Sequence, residues 1–179
     1  MKVLILGIGN ILFGDEGIGV HLSNYLKVNY TFVSQEHTLE FIDGGTLAQA
    51  LIPLIVEYDF VLMLDSVSVE GAQVGDVYSF PFSAIPNQIT WAGSAHEVEM
   101  LQTLRLTQVL GDLPPLHIVG IIPKIIGEDT TFELSQELLA GVSTMEEEVI
   151  KQLRTLGFSI KKTNAIPLQE IANNSYKGF

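Results

Sequence analysis

The sequence predicts an α/β fold, a mostly parallel sheet with helices on both faces, and three observations carry that expectation. Apolar runs with β-branched residues recur along the chain, each ending at a Gly, a Pro or an acid. Between them lie segments whose apolar residues return every three or four positions, the mark of one buried helix face. Strands and helices alternating at this spacing need right-handed crossovers, which place successive strands in parallel.

"KVLILGIG" (2–9) is a continuous apolar run suited to a first buried strand. From Asp15 to about Lys27, the residues Ile18, Leu22 and Leu26 recur at a spacing of four and predict a helix. "TLEFIDGGT" (38–46) reads as a second strand ending in an acid and two glycines. A helical segment follows over 47–58, which Pro53 should kink or shorten. "DFVLMLDSVS" (59–68) is a third strand that again ends on an acid. "GAQVGDVYSFPF" (71–82) predicts a turn and a strand, with Pro81 favouring a sheet edge. After an irregular stretch, helical spacing resumes from His96 to Leu110, and "PLHIVGIIP" (115–123) is another buried strand. Residues 131–157 read as helical, with Gly141 as a break and Gly157 as a C-cap, and "FSIKK" as a short strand. The expected organisation is a single domain over 1–162, with 163–179 a polar, mobile tail.

Composition narrows the function. The 179 residues carry 21 acids against 9 bases, a formal charge of −12, which repels nucleic acid and anionic lipid alike. No apolar run approaches the ~18 residues needed to span a bilayer, and "VLILG" is too short for a signal-peptide core, so a cytoplasmic location is expected. Cysteine is absent. Disulfides, thiolate catalysis and thiolate metal ligation are thereby excluded, leaving carboxylate and imidazole as metal donors.

Ligands of open α/β sheets bind beyond the carboxyl ends of the strands. Glu16 follows the first strand, Asp43 ends the second, Asp65 ends the third, and His96 opens a later helix. No basic residue falls with them in this reading, so the crevice favours a cation. The Gly7-Ile8-Gly9 turn suggests a dinucleotide fingerprint, but Leu12 stands where the third Gly should be, and Asp15 and Glu16 would repel a pyrophosphate. Plainer roles exist for several of these residues. Asp15 suits a helix N-cap and Glu16 a first-turn acid, Asp43 suits a turn, His117 a core position, and His21 and His37 the surface. On the residues alone, the reading stops at a metal-dependent hydrolase or metal-binding domain.

"LGIGNILFGDEGIGV" resembles the signature of the nickel–iron hydrogenase maturation endopeptidases, with "DGGT" (43–46), "LDS" (64–66), "SAHEVEM" (94–100) and "VGIIPK" (119–124) following in the family's order. The resemblance covers roughly residues 1–157. It implies a three-layer α/β/α sandwich around a twisted, mostly parallel sheet. It also implies an endopeptidase that removes the C-terminal extension of the hydrogenase large-subunit precursor after nickel insertion. The family's metal-contacting trio carries over to Glu16, Asp65 and His96, and its acid before Gly-Gly to Asp43, with Asp43, Glu16 and Asp65 the candidates for the hydrolytic step. Gly44, Gly45 and Trp91 are the candidate substrate contacts, Trp91 because it lies in the irregular stretch 83–95 that leads into His96. Nickel is expected to belong to the nickel-loaded precursor rather than to the resting enzyme, since O,O,N donors compete poorly with thiolates for it; another divalent ion can occupy the site in vitro. A monomer is favoured. Whether an acid or the metal activates the attacking water stays open, and a nickel carrier, a nucleotide-binding oxidoreductase and an assembly scaffold are the rival readings.

Overall fold

β1 (Lys2–Ile8) opens the chain as the apolar run requires, followed by a 3-10 turn at Gly14–Gly17 and α1 (Ile18–Asn29). Next come β2 (Tyr30–Val33), β3 (Thr38–Gly45), the four-residue α2 (Ile52–Ile55) and β4 (Phe60–Ser66). β5 (Ser68–Val69), β6 (Val77–Pro81), β7 (Ile89–Thr90), α3 (Ala95–Leu110) and β8 (Leu116–Ile121) follow. The chain closes with α4 (Gln136–Thr155), β9 (Ser159–Lys162) and α5 (Leu168–Asn174). This computed structural model describes residues 1–85, 89–90, 95–125 and 129–179, and for 48–49, 89–90 and 95–100 the backbone alone.

The central sheet has the order β3-β1-β4-β8-β6, parallel throughout except for the antiparallel edge strand β6. Alternation along each strand divides the core in two. Val3 and Ile5 of β1, Leu62 and Leu64 of β4, and Val119 and Ile121 of β8 face α1, α4 and α5. Leu4, Leu6 and Ile8, Val61 and Met63, and Leu116 and Ile118 face α2 and α3. Helices therefore cover both faces, which explains why these strands read as unbroken apolar runs. Pro53 does shorten the helix after β3: only one turn of α2 forms behind a 3-10 turn. Pro81 closes β6 at the sheet edge, as its missing N–H demands.

Four local expectations need correction. Gly141 does not break α4, which runs through it, because a bare Gly141 lets the helix meet the backbone at Gly75, whose O atom would lie 2.1 Å from a Cβ there. The helix begins at Gln136 rather than near 131, where Ser135 takes the N-cap and its hydroxyl accepts from Leu138 N–H. His21 is fully buried, not at the surface. Finally, 163–179 is not a mobile tail: Leu168, Ile171 and Ala172 of α5 are buried in the α1-side core. Its spacing (168, 171, 172) is a helical i, i+3, i+4 pattern too brief to stand out among polar neighbours.

Candidate functional site

The connection leaving β1 passes through α1 on one face, while the connection leaving β4 passes through α3, whose Leu101 and Leu104 pack on the other. The sheet's topological switch point therefore lies between the carboxyl ends of β1 and β4, where open α/β sheets hold their ligands. Glu16 lies in the turn directly after β1 and Asp65 near the end of β4, one on each side of the switch. The N-terminus of α3, which begins at Ala95 and so carries His96 in its first turn, belongs to the same face as Asp65, whose strand neighbours there are Val61 and Met63.

Glycines make this arrangement compact. A Cβ at Gly19 would lie 2.1 Å from Leu64 O and 2.2 Å from Ile8 O, so the first turn of α1 sits directly across the ends of β4 and β1. Gly9 adopts φ 140°, and a Cβ there would lie 2.1 Å from Glu16 O. The Gly-x-Gly turn thus brings the Glu16 backbone against the strand end, rather than a pyrophosphate.

Asp65 is 2 % exposed, and its carboxylate accepts from the Ser66 N–H at 2.7 Å. Asp43 differs. In register with Gly7 and hence with Leu64, it belongs to the α1-facing set of β3 with Leu39 and Phe41, so it projects from the opposite face to Asp65 and two strands away. Two strand spacings put their backbones about 10 Å apart. The Asp43 carboxylate accepts from Gly45 N–H at 2.9 Å, the turn bond that Asp-Gly-Gly suggests, with Gly45 at φ 49°. Loss of hydration raises the Asp43 carboxyl above its ordinary value, opposed by that N–H bond. Gly44 is buried, and a Cβ there would meet the side chains of Ile8, Leu51 and Leu6. Trp91 and the side chain of His96 lie outside the described residues. Among the described residues no three His, Asp or Glu side chains form a metal-holding group; Glu16 and Asp65 belong to the two segments that flank the switch point.

Asp15 has a role that the sequence reading missed. It caps nothing: the N-cap position of α1 is Gly17, without a side-chain bond. Its carboxylate, 2 % exposed, accepts from Lys124 N–H (2.9 Å), Ser135 N–H (2.8 Å) and Ser135 Oγ–H (2.6 Å). Gly14 N–H to Thr131 O and Thr131 N–H to Leu12 O, both 2.8 Å, complete the seam. One buried acid thus ties the loop bearing Glu16 to the segment after β8 and to the start of α4. Lys124, the basic residue at this edge that the sequence reading left out, spends its Nζ on Glu137 at 2.9 Å.

Beneath the same loop, His21 Nδ1 lies 2.8 Å from Ser175 Oγ. Ser175 Oγ–H donates to Ile171 O at 3.1 Å, so the hydroxyl oxygen accepts from His21 Nδ1–H. Nε2 is buried without a hydrogen-bond partner, against Gly17. Burial pushes the imidazole down to about 4. His117, expected in the core, is half-buried there, with Nε2 2.8 Å from Ser79 Oγ.

A family model described as hydrogenase maturation protease matches residues 20–152. Protein HydD of Wolinella succinogenes is 56% identical over 160 residues, spanning 89% of this chain and 100% of that protein. The hydrogenase 2 maturation protease of Escherichia coli is 27% identical over 172 residues, 96% of this chain and 99% of that one. Among solved structures, the hydrogenase maturating endopeptidase HybD from E. coli superposes with a TM-score of 0.74 at 25% identity, covering 90% of this chain and 98% of that one. The [NiFe] hydrogenase maturation protease HybD from Thermococcus kodakarensis superposes at 0.64 and 26% identity, covering 86% and 99%.

Proposed function

The chain belongs to the hydrogenase maturation protease family, and from that premise we propose that it cleaves the C-terminal extension from a hydrogenase large-subunit precursor once nickel has been inserted. Glu16, Asp65 and His96 recognise the nickel carried by the precursor, and Asp43 is the acid of the hydrolytic step. The observation that carries this reading is the placement of Glu16 and Asp65 after β1 and β4, one on each side of the switch point, with Asp65 on the face that α3 enters with His96.

The donor chemistry fits a transient contact. Two carboxylates and an imidazole are harder ligands than thiolates, so a chain without cysteine can test for nickel without extracting it from the substrate. The separation of Asp43 from Asp65, two strands away and on the opposite face, supports a division of labour between recognition and hydrolysis. A carboxyl raised above its usual range and open to solvent suits a base that takes a proton from water attacking the scissile carbonyl, then returns it to the leaving amine. Lys124 is committed to Glu137.

Cleavage of nickel-loaded precursor, with nickel-free precursor alongside, tests the reading by intact mass. Loss of a C-terminal peptide from the loaded form alone, abolished by His96→Ala, is expected. Cleavage regardless of nickel removes the recognition role. No cleavage together with tight binding of free nickel overturns the assignment in favour of a carrier. Asp43→Asn should lower kcat by at least about 10²-fold, the usual scale of general-base catalysis; an unchanged rate removes Asp43 from the chemistry.

A further inference from the structure

β3 is the outermost strand of the central sheet on the side away from β6. Thr38 N–H donates to Met1 O at 3.0 Å, so the even-numbered residues of β3 turn their backbone groups toward β1. Leu39, Phe41 and Asp43 turn theirs outward, and among the described residues nothing pairs with that edge. Edge strands are normally blunted by Pro, Lys, brevity or a bulge. β6 has its Pro81, whereas β3 is eight residues long, "TLEFIDGG", without Pro or Lys and regular as far as Asp43.

Beside this edge lies an open pocket of about 290 Å³ lined by Phe32, Val33, Ser34, His37, Leu39, Phe41 and Phe158, polar and apolar in about equal share and large enough for one bulky side chain. Two of its walls, Leu39 and Phe41, lie on the same face of β3 as Asp43. The exposed Glu36, Glu40 and Asp43 lie along the approach, with the Met1 ammonium at Glu36 O and Glu40 on the opposite face of β3, its carboxylate accepting from Tyr58 O–H.

We propose that the outer edge of β3 is the docking strand for the precursor's C-terminal segment. The bound segment is extended and pairs with the outward groups of Leu39, Phe41 and Asp43. It seats a bulky side chain, such as an aromatic one, in the pocket and turns the next residue, a basic one, toward Glu40 on the opposite face of β3. This inference rests on the reading of the chain as a precursor protease. Strand addition of this kind takes its affinity from main-chain hydrogen bonds and its selectivity from pockets for alternate side chains. At about 3.3 Å per residue, a residue seated between Leu39 and Phe41 lies two to four positions from the bond beside Asp43.

Two substitutions test the edge without touching Glu16, Asp43, Asp65 or His96. Leu39→Pro removes one outward N–H, which an edge strand tolerates because β1 does not use it. Val33→Arg, at a 58 % exposed wall of the pocket, fills it with a cation. Both should lower kcat/KM for nickel-loaded precursor at least tenfold, with the urea midpoint of Val33→Arg near wild type; Leu39→Pro, which also loses packing on the α1-side core, is compared with Leu39→Ala, which loses the packing but keeps the N–H. Folded variants that cleave within twofold of wild type overturn the docking edge and leave the protease reading intact. If the wild type cleaves no precursor, the protease reading fails first. Should either variant fail to fold, hydrogen exchange of the wild type in a brief pulse with excess precursor decides. Amides of Leu39, Phe41 and Asp43 slowed tenfold or more support the edge, and unchanged exchange overturns it. A free protein that sediments as a dimer with these amides already protected also overturns it, assigning the edge to a second copy of the chain.

Discussion

Protonation of His21 is the most direct probe of how the C-terminal segment is held. In the fold the ring is neutral, with its proton committed to Ser175 and Nε2 sealed from water, and its pKa lies at about 4 against 6.5 for a free histidine. Above pH 6.5 neither state binds the extra proton and His21 makes no demand on stability. As pH falls below 6.5 the unfolded chain takes up a proton that the folded chain refuses, so stability falls until the folded ring itself titrates near 4. The full difference is roughly 3 kcal/mol, of which about 2 kcal/mol has gone by pH 5. Acids titrating in the same range contribute too, and His21→Asn separates them. Asn keeps an N–H for Ser175 Oγ and does not titrate. Urea unfolding from pH 7.5 to 5 should therefore show the wild type losing about 2 kcal/mol more than the variant. NMR should place the midpoint of the His21 ring below 5. Parallel stability curves within about 0.5 kcal/mol, or a ring midpoint near 6.5, would refute the argument, because a buried imidazole without a second partner could not behave so.

Asp15→Ala should destabilise by about 3–5 kcal/mol in urea unfolding, since Lys124 N–H, Ser135 N–H and Ser135 Oγ–H lose their shared acceptor inside the protein. A loss under 1 kcal/mol, about the size of an ordinary N-cap, would mean that the seam holds without it. Gly19→Ala should cost about 3 kcal/mol or more, because the added methyl meets two strand carbonyls near 2 Å and α1 has to withdraw. A folded variant of wild-type stability would show that α1 does not sit on the strand ends as described.

The local sequence carried the fold wherever one residue's chemistry was enough. Unbroken apolar runs suited strands covered on both faces, Pro53 had to kink or shorten its helix, and Pro81 favoured an edge. Glu16, Asp43 and Asp65 were legible as site candidates because each stands where a strand ends. What stayed hidden depended on partners far away in the chain. Asp15 looked like a cap because nothing nearby reveals that Ser135, 120 positions on, brings it two donors. His21 looked exposed because its cover is α5 and Ser175, 154 residues later. Strand endings could not reveal that Asp43 and Asp65 project from opposite faces, since that follows from register against β1. The sequence by itself determined the strands of the central sheet, the helices α1, α3 and α4, and which acids stand at the carboxyl ends of the strands. Only the tertiary structure decided which of those acids share the switch point, which one is a buried tie, and which strand edge is left open. Propensity and periodicity are local, whereas burial and pairing are set by whatever the folded chain brings alongside.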